Sequence, residues 1–240
     1  MKINCKGLDH KELNEKIFAT DDKEIVLENC LGHRFIAAGL SGKVLEIHGV
    51  PGNALGCYLD GTIIRVFANG QDAIGDTMND GRIYIHGSCG DAPGYAMRGG
   101  KIMTEGEIGY RGGIHMKEYH DKIPVLIVGG NAGSFLGEYQ AGGRIIVLGL
   151  GVEDQPRVGN FCGTGQHGGK IFLRTEVLPA DLPKQVMAKK ATAEDLAEIR
   201  EDLMEYCGEF GGNAEELLKD TFYVLTPNTK NPYKQLYTSH

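Results

Sequence analysis

The chain has 240 residues, a formal net charge of −7, 36 glycines, 8 prolines and no tryptophan. That acidic balance argues against nucleic acid or an anionic membrane as the main partner. No apolar run reaches 18 residues, and Met1 to Thr20 is charged without a signal-peptide core, so a soluble, cytoplasmic protein is expected.

From the N-terminus, Asp9 to Ala19 is expected to form a short helix, with Asp9 as N-cap, Glu12 three residues on, and Leu13 and Ile17 one turn apart. A first strand begins at Ile25 to Leu27. A degenerate repeat follows at Asn29, Gly32 and Ile36, an entry unit that the N-terminal helix is placed to cap.

From Gly42 to Arg174 one pattern recurs: Gly, two residues, Gly, three residues, Gly. It is intact at Gly49, Gly52 and Gly56, at Gly87, Gly90 and Gly94, at Gly106, Gly109 and Gly113, and at Gly130, Gly133 and Gly137. Partial copies stand at Gly75 and at Gly159 with Gly163. The last glycines are spaced by 19 residues from 56 to 113, then by 24 and 26, which marks an internal repeat. Ahead of the glycines, two columns read Leu45, Ile64, Ile83, Ile102, Leu126 and Ile47, Val66, Ile85, Thr104, Val128. The slot between them holds Glu46, Arg65, Tyr84, Met103 and Ile127. With period 2 this is one strand per repeat, the first two columns facing inward and the third outward.

One strand cannot bury its apolar face alone, so the repeats are expected to stack about 4.8 Å apart. The fold class expected is all-β: a right-handed parallel β-helix of about seven rungs, with a short N-terminal helix and a C-terminal helical extension. The domain reading is 1–24 as cap, 25–175 as glycine-repeat coil, and 176–240 as linker, two helices and tail. The glycines serve as corners, where positive φ costs glycine nothing. Extra residues at His115 to Ile123 and Leu150 to Pro156 are expected to bulge out as loops.

Beyond Arg174 the pattern stops. Leu178 to Pro183 reads as a linker. Thr192 with Asp195 opens an amphipathic helix carrying Leu196, Ile199, Leu203 and Tyr206, which should end between Gly208 and Gly212. Asn213 caps a short helix, Ala214 to Lys219, and Phe222 to Leu225 reads as a strand. The tail from Pro227 is polar, with Lys230 and Lys234.

Chemistry is sparse at the level of motifs. The six cysteines, Cys5, Cys30, Cys57, Cys89, Cys162 and Cys207, form no Cys-x-x-Cys pair, so neither a zinc ribbon nor an iron–sulfur cluster is written here. Gly163-x-Gly165-x-x-Gly168 has the form of a dinucleotide fingerprint but leads into a strand rather than a helix. His115, Glu118 and His120 share one loop without a metal-site spacing. His48 and His86 share a repeat slot with Phe67 between them, two rungs or roughly 10 Å apart, which reads as a surface ladder. Glu46 and Arg65 on adjacent rungs are an expected surface pair. No catalytic, cofactor-binding or metal residue is assigned.

The repeat followed by Gly-Gly-(Lys/Arg)-Ile, as in Gly99-Gly100-Lys101-Ile102 and Gly142-Gly143-Arg144-Ile145, resembles the glycine-repeat (GXGXG) domain at the C-terminal end of the glutamate synthase large subunit, from about Glu24 to Arg174. The resemblance implies a non-catalytic subunit bracing two separate chains. One is a glutamine amidotransferase and the other an FMN/iron–sulfur synthase that makes glutamate from 2-oxoglutarate, so FMN and the cluster would lie in partner chains. A structural chain of formylmethanofuran dehydrogenase, a tungsten- or molybdenum-dependent complex, is similar to the same repeat and supplies the alternative. A stand-alone carbohydrate-active enzyme is a third reading, against which stand the absent secretion signal and the lack of an outward Asp or Glu cluster. Candidate partner-facing residues are His115, Tyr119, His120, Glu153 and Asp154 in the two inserted loops, together with the tail; self-association through the coil ends is a further candidate.

Overall fold

The computed structural model describes residues 1–151 and 157–228. Repeat by repeat, the inward columns give strands β1 (Lys2–Asn4), β2 (Glu24–Leu31), β3 (Val44–Val50), β4 (Asp60–Val66), β5 (Asp80–Ile85), β6 (Lys101–Thr104), β7 (Val125–Val128), β8 (Ala141–Val147) and β9 (Gly168–Arg174). Each pairs in parallel with the next. Helix α1 (His10–Ala19) lies between β1 and β2 in sequence. After β9 come β10 (Val186–Lys190), helix α2 (Ala193–Phe210), helix α3 (Ala214–Leu217) and β11 (Phe222–Pro227). β11 runs antiparallel to β9, and β10 antiparallel to β11.

The product is one 11-stranded, mostly parallel sheet in the order β1 through β9, then β11 and β10. This corrects the expected right-handed β-helix. The sheet is open rather than closed, its last two strands are antiparallel, and the helices lie against it. The physical reason is that each repeat supplies one strand of four to eight residues, and the rest of the unit is turn apart from single parallel bridges that stack Cys89, Ile108, Ala132 and Val158. A closed coil of several sheets needs more than one strand per repeat.

The inward columns behave as their period requires. Leu45, Ile64, Ile83, Ile102, Leu126 and Ile47, Val66, Ile85, Val128 are fully buried in one core, and register pairing sets Leu45 beside Ile64 and Ile64 beside Ile83. Helix α1 closes the first end of this core with Leu13 and Ile17. The Asp9–Glu12 capping box starts the helix. The Asn14 side chain accepts from the Ala37 N–H and donates to the Arg34 carbonyl, which satisfies backbone groups that the first repeat leaves exposed.

Between strands, the turns stack by hydrogen bonds that run from repeat to repeat. The backbone N–H groups of Ala54, Ala73, Ala92, Arg111 and Phe135 donate to the carbonyls of Asp72, Asp91, Tyr110, Ser134 and Asn160 in the following repeat, at 2.7–2.9 Å. Two residues on, Gly56, Gly75, Gly94, Gly113, Gly137 and Gly163 donate backwards, each at 2.8 Å. Two further on, Tyr58, Thr77, Ala96, His115 and Tyr139 donate forwards again. All three positions of the triplet have positive φ, at 54/56/58, 73/75/77, 92/94/96, 111/113/115, 135/137/139 and 161/163/165. Apart from Asn29 and His120, the described non-glycine residues with positive φ all belong to such triplets, the entry unit's Phe35 and Ala37 included. Left-handed backbone costs a non-glycine residue about 1–2 kcal/mol, and the inter-repeat hydrogen bonds, each worth about 0.5–1.5 kcal/mol net, offset it.

Candidate functional site

Outward residues of β4 to β9 are the richest polar constellation in the described residues. Register aligns Arg82, Lys101, Val125, Arg144 and Lys170 in one column. Its neighbour reads Arg65, Tyr84, Met103, Ile127, Ile146 and Phe172. Helix α2 lies across both columns. Thr192 caps it with Asp195 in a capping box, and it stops at Gly211. Its 18 residues span about 27 Å, close to the roughly 24 Å from β4 to β9 at the strand spacing.

One stripe of α2 meets the basic column. Glu209 pairs with Arg65 at 2.8 Å and Glu205 with Arg82 at 2.7 Å. Lys101 reaches both Asp202 and Glu205 at 2.7 Å, Arg144 reaches Asp202 at 2.9 Å, and Lys170 pairs with Asp195 and Glu198. Positions 195, 198, 202, 205 and 209 step by three and four, which keeps them on one helix face. A second stripe, Ile199, Leu203 and Tyr206, packs on Met103, Ile127, Ile146 and Phe172 in a core separate from the first. Burial opposes ionisation of Glu205, but Lys101 and the Tyr84 hydroxyl outweigh it and hold the carboxyl below the usual range. Burial also pushes the Tyr84 phenol upward, aided by Glu205. Every charge in this constellation is therefore engaged in holding the helix.

The outward column expected to face solvent is thus covered from Tyr84 onward. Arg65 pairs with Glu209 of α2, in place of the expected Glu46 pair. Sequence reasoning missed this docking, and the signal that finds it is the acidic 3–4 stripe of α2 read beside the basic column of the strands.

At the expected site residues, the first two glycines of each motif sit where a Cβ would strike the preceding repeat. At Gly52 it would lie 2.4 Å from the Gly32 carbonyl oxygen, and at Gly133 2.6 Å from that of Gly109. At Gly90 and Gly109 a Cβ would run first into a carboxylate, that of Asp72 or Asp91 at 2.1 Å, and then approach the backbone of the preceding repeat, at 3.2 and 3.0 Å. Of the first two glycines in the intact motifs only Gly49 has positive φ, which corrects the expected role of Gly52, Gly87, Gly90, Gly106, Gly109, Gly130 and Gly133, and of Gly159 in the partial copy, as left-handed corners. The third glycine of each motif, in contrast, is the middle of the left-handed triplet. His48, Phe67 and His86 form the expected ladder, with ring centroids 4.9 and 5.0 Å apart, and the far end abuts Phe210 of α2.

The loop carrying His115, Glu118 and His120 does not gather them around a common point. His115 stacks on Tyr139 and meets Tyr95 edge-on, Glu118 accepts from the Gly143 N–H at 2.9 Å, and His120 packs on Tyr119 with centroids 4.3 Å apart. Lys122 of the same loop bridges Asp60 and Asp80, which folds the loop back over earlier repeats. Glu153 and Asp154 lie outside the described residues, as do Pro156 and the tail from residue 229. Among the described residues no three His, Cys, Asp or Glu side chains are placed to hold a metal ion, and no helix is long and apolar enough to cross a membrane.

Among the described residues, two open surfaces stand out. A cavity of about 450 Å³ lies beside the start of β8 and β9, lined by Glu118, Ile123, Arg144, Lys170, Glu198 and Pro227. The other is the stacked-turn face, where Tyr58, Tyr95, Tyr110, Tyr139 and Phe161 are exposed.

Comparison with known proteins places this architecture. Residues 23–229 match the model of the family described as GXGXG motif. An uncharacterized protein of Methanocaldococcus jannaschii is 47% identical over 249 aligned positions, which cover 98% of this chain and 95% of that one. Among solved structures, a chain of the formyltransferase/hydrolase complex of Methylorubrum extorquens, determined with methylofuran, superposes with a TM-score of 0.67 over 95% of this chain and 96% of its own. At 15% identity that likeness is one of fold.

Proposed function

The chain belongs to the GXGXG motif family, and on that premise we propose that it is a non-catalytic assembly subunit of a multi-chain enzyme complex. The observation that carries the reading is the use of its charged constellation. Arg65, Arg82, Lys101, Arg144 and Lys170 are all engaged by the acidic stripe of α2, so the groups that would otherwise serve chemistry clamp a helix across six strands. A rigid slab of stacked repeats suits a spacer that fixes two larger chains at a set distance.

The complex favoured is of the formyl-transfer type, with this chain in the role of a structural subunit like that of formylmethanofuran dehydrogenase. Its support is the superposition along nearly the whole of both chains with a chain of the formyltransferase/hydrolase complex. A second reading, a split glutamate synthase, is favoured by the Gly-Gly-(Lys/Arg)-Ile repeats at Gly99–Ile102 and Gly142–Ile145. In that case a glutamine amidotransferase chain and an FMN/iron–sulfur chain would be the partners.

The test is affinity purification of the tagged full chain from its native cell, with mass spectrometry of what accompanies it in stoichiometric amount. Formyltransferase or molybdopterin-type subunits support the first reading. An amidotransferase with a flavin/iron–sulfur protein establishes the second. A chain recovered alone at low salt overturns the assembly role altogether.

A further inference from the structure

The left-handed turn positions separate what the fold needs from what it displays. At the first position of the triplet, Ala54, Ala73 and Ala92 hold φ of 55° to 61° with the same forward hydrogen bond. In later repeats Arg111, Phe135 and Phe161 stand in the same position at φ of 57° to 62°. At the third position, glycine at 39 and 165 and Ala96 contrast with Tyr58, Thr77, His115 and Tyr139 in the other repeats. Alanine or glycine satisfies the turn, so the bulky residues are not required by the stacking. They sit on a backbone conformation that disfavours large side chains, and they place the rings of His115, Tyr139 and Phe161 in water and that of Phe135 half-buried at the surface.

These rings form two columns. Tyr95 meets His115 edge-on at 6.0 Å, His115 stacks on Tyr139 at 5.2 Å, and Phe135 lies 5.1 Å from Phe161. Arg111 lies over Phe135 at 5.3 Å while its Nε donates to Glu138 at 3.0 Å, which ties the two columns together. The face therefore already holds one guanidinium between a ring and a carboxylate. On the same turns of the preceding repeats, the carboxylates of Asp72 and Asp91 are exposed. Arg111, the cation of this cluster, is already paired with Glu138, so the excess charge of the face is negative.

We propose that this turn face, built from Tyr95, His115, Phe135, Tyr139 and Phe161, is the docking surface for a partner-chain segment that presents arginine or lysine side chains. Guanidinium and ammonium groups bind ring faces and gain from flanking carboxylates, and this face offers both. The proposal rests on the assembly role and names the flank that carries it.

Two experiments test it on the full chain. In the first, a fluorescent Arg-Gly repeat peptide is titrated at low salt against the wild type and the double variant Phe135→Ala/Phe161→Ala. The variant should keep its thermal midpoint within a few degrees, because alanine already occupies this turn position in three repeats. It should bind at least tenfold more weakly, and equal binding by both proteins would show attraction to net charge alone and overturn the proposal. In the second, a photo-crosslinking amino acid replaces Tyr139 in the native cell, and the crosslinked peptide is sequenced. A segment of another chain containing Arg or Lys supports the surface. A second copy of this chain, a segment lacking both residues, or no crosslink while partners still co-purify overturns the surface and leaves the assembly role intact. Absence of any co-purifying partner with the wild type strikes at the assembly role itself.

Discussion

Two glycines in equivalent turn positions should respond differently to the same substitution. Gly94 and Gly113 are both the middle residue of a left-handed triplet, with φ of 70° and 65°. Replacement by alanine therefore carries a common backbone penalty of about 1–2 kcal/mol, and Ala37 at φ 59° shows that the turn accepts it. Packing separates them. A Cβ at Gly94 would lie 3.6 Å from Met97 Sδ and 3.7 Å from Ile102 Cδ1, which is ordinary contact. At Gly113 it would lie 2.6 Å from Ile145 Cδ1 and 3.2 Å from Ile145 Cγ1. The Ile145 side chain must leave its rotamer or the core must shift, which adds roughly 1–3 kcal/mol. Gly94→Ala should thus cost about 1–2 kcal/mol and Gly113→Ala about 2–4 kcal/mol. Urea unfolding followed by circular dichroism measures both, with an unchanged m-value as the condition for comparison. Trimming the obstructing methyl provides the internal control. Ile145→Val alone should cost about 0.5–1.5 kcal/mol, but in the Gly113→Ala background it should be neutral or stabilising. Equal losses at Gly94 and Gly113, or no relief from Ile145→Val, would refute the account of the turn as a packed rather than merely strained site.

Other consequences follow from the α2 clamp and the buried thiols. Asp202 is 2% exposed and serves both Lys101 and Arg144, so Asp202→Ala should destabilise by about 3–5 kcal/mol in urea unfolding. Glu216→Ala, which breaks an exposed pair with Lys219, should change stability by no more than about 1 kcal/mol. Burial opposes ionisation of Asp195, but hydrogen bonds from Thr192 and the Lys189 ammonium overcome it, and Asp195, like Glu205, is held below the ordinary carboxyl range. Folded values below the unfolded ones mean stability that is fully present above about pH 4–5 and lost as pH falls through the folded values. Urea midpoints should therefore fall steadily below about pH 4, and an Asp195→Asn/Glu205→Gln protein as acid-sensitive as the wild type would place the sensitive groups elsewhere. Burial pushes the Cys89 and Cys162 thiols up to about 12. A thiol reagent at neutral pH should reach Cys207 first, since it is half-buried while the other five are buried, and more than one fast-reacting thiol in the native protein would contradict the packing.

Much of this molecule is legible along the chain because its strongest signals are local. The period-2 columns fixed which faces of β3 to β7 enter the core, and Leu45 through Leu126 are buried as that alternation requires. Capping chemistry located α1 at Asp9 and α2 at Thr192 for the same reason, since a side chain satisfying its own helix needs no distant partner. The short edge strands β1 and β10 carry no such signal, because three and five residues acquire strand geometry only from a neighbour.

Tertiary structure alone decided three things. It laid α2 across the outward column, turning Tyr84, Met103 and Ile127 from an expected surface into a second core, because a pattern on one strand cannot say what will cover it. It left one open sheet in place of a closed coil, because strand count per repeat, rather than repeat period, sets closure. And it imposed left-handed backbone on Phe135, Tyr139 and Phe161, residues with no intrinsic preference for it: the Phe135 and Tyr139 N–H groups donate to the Asn160 and Thr164 carbonyls of the next repeat, and the Phe161 N–H donates to the Asp181 carboxylate. The sequence determined the repeat and its inward face, since those depend on spacing along the chain; the helix-covered face and the aromatic turn face exist only once repeats are stacked, since their members are drawn from several of them.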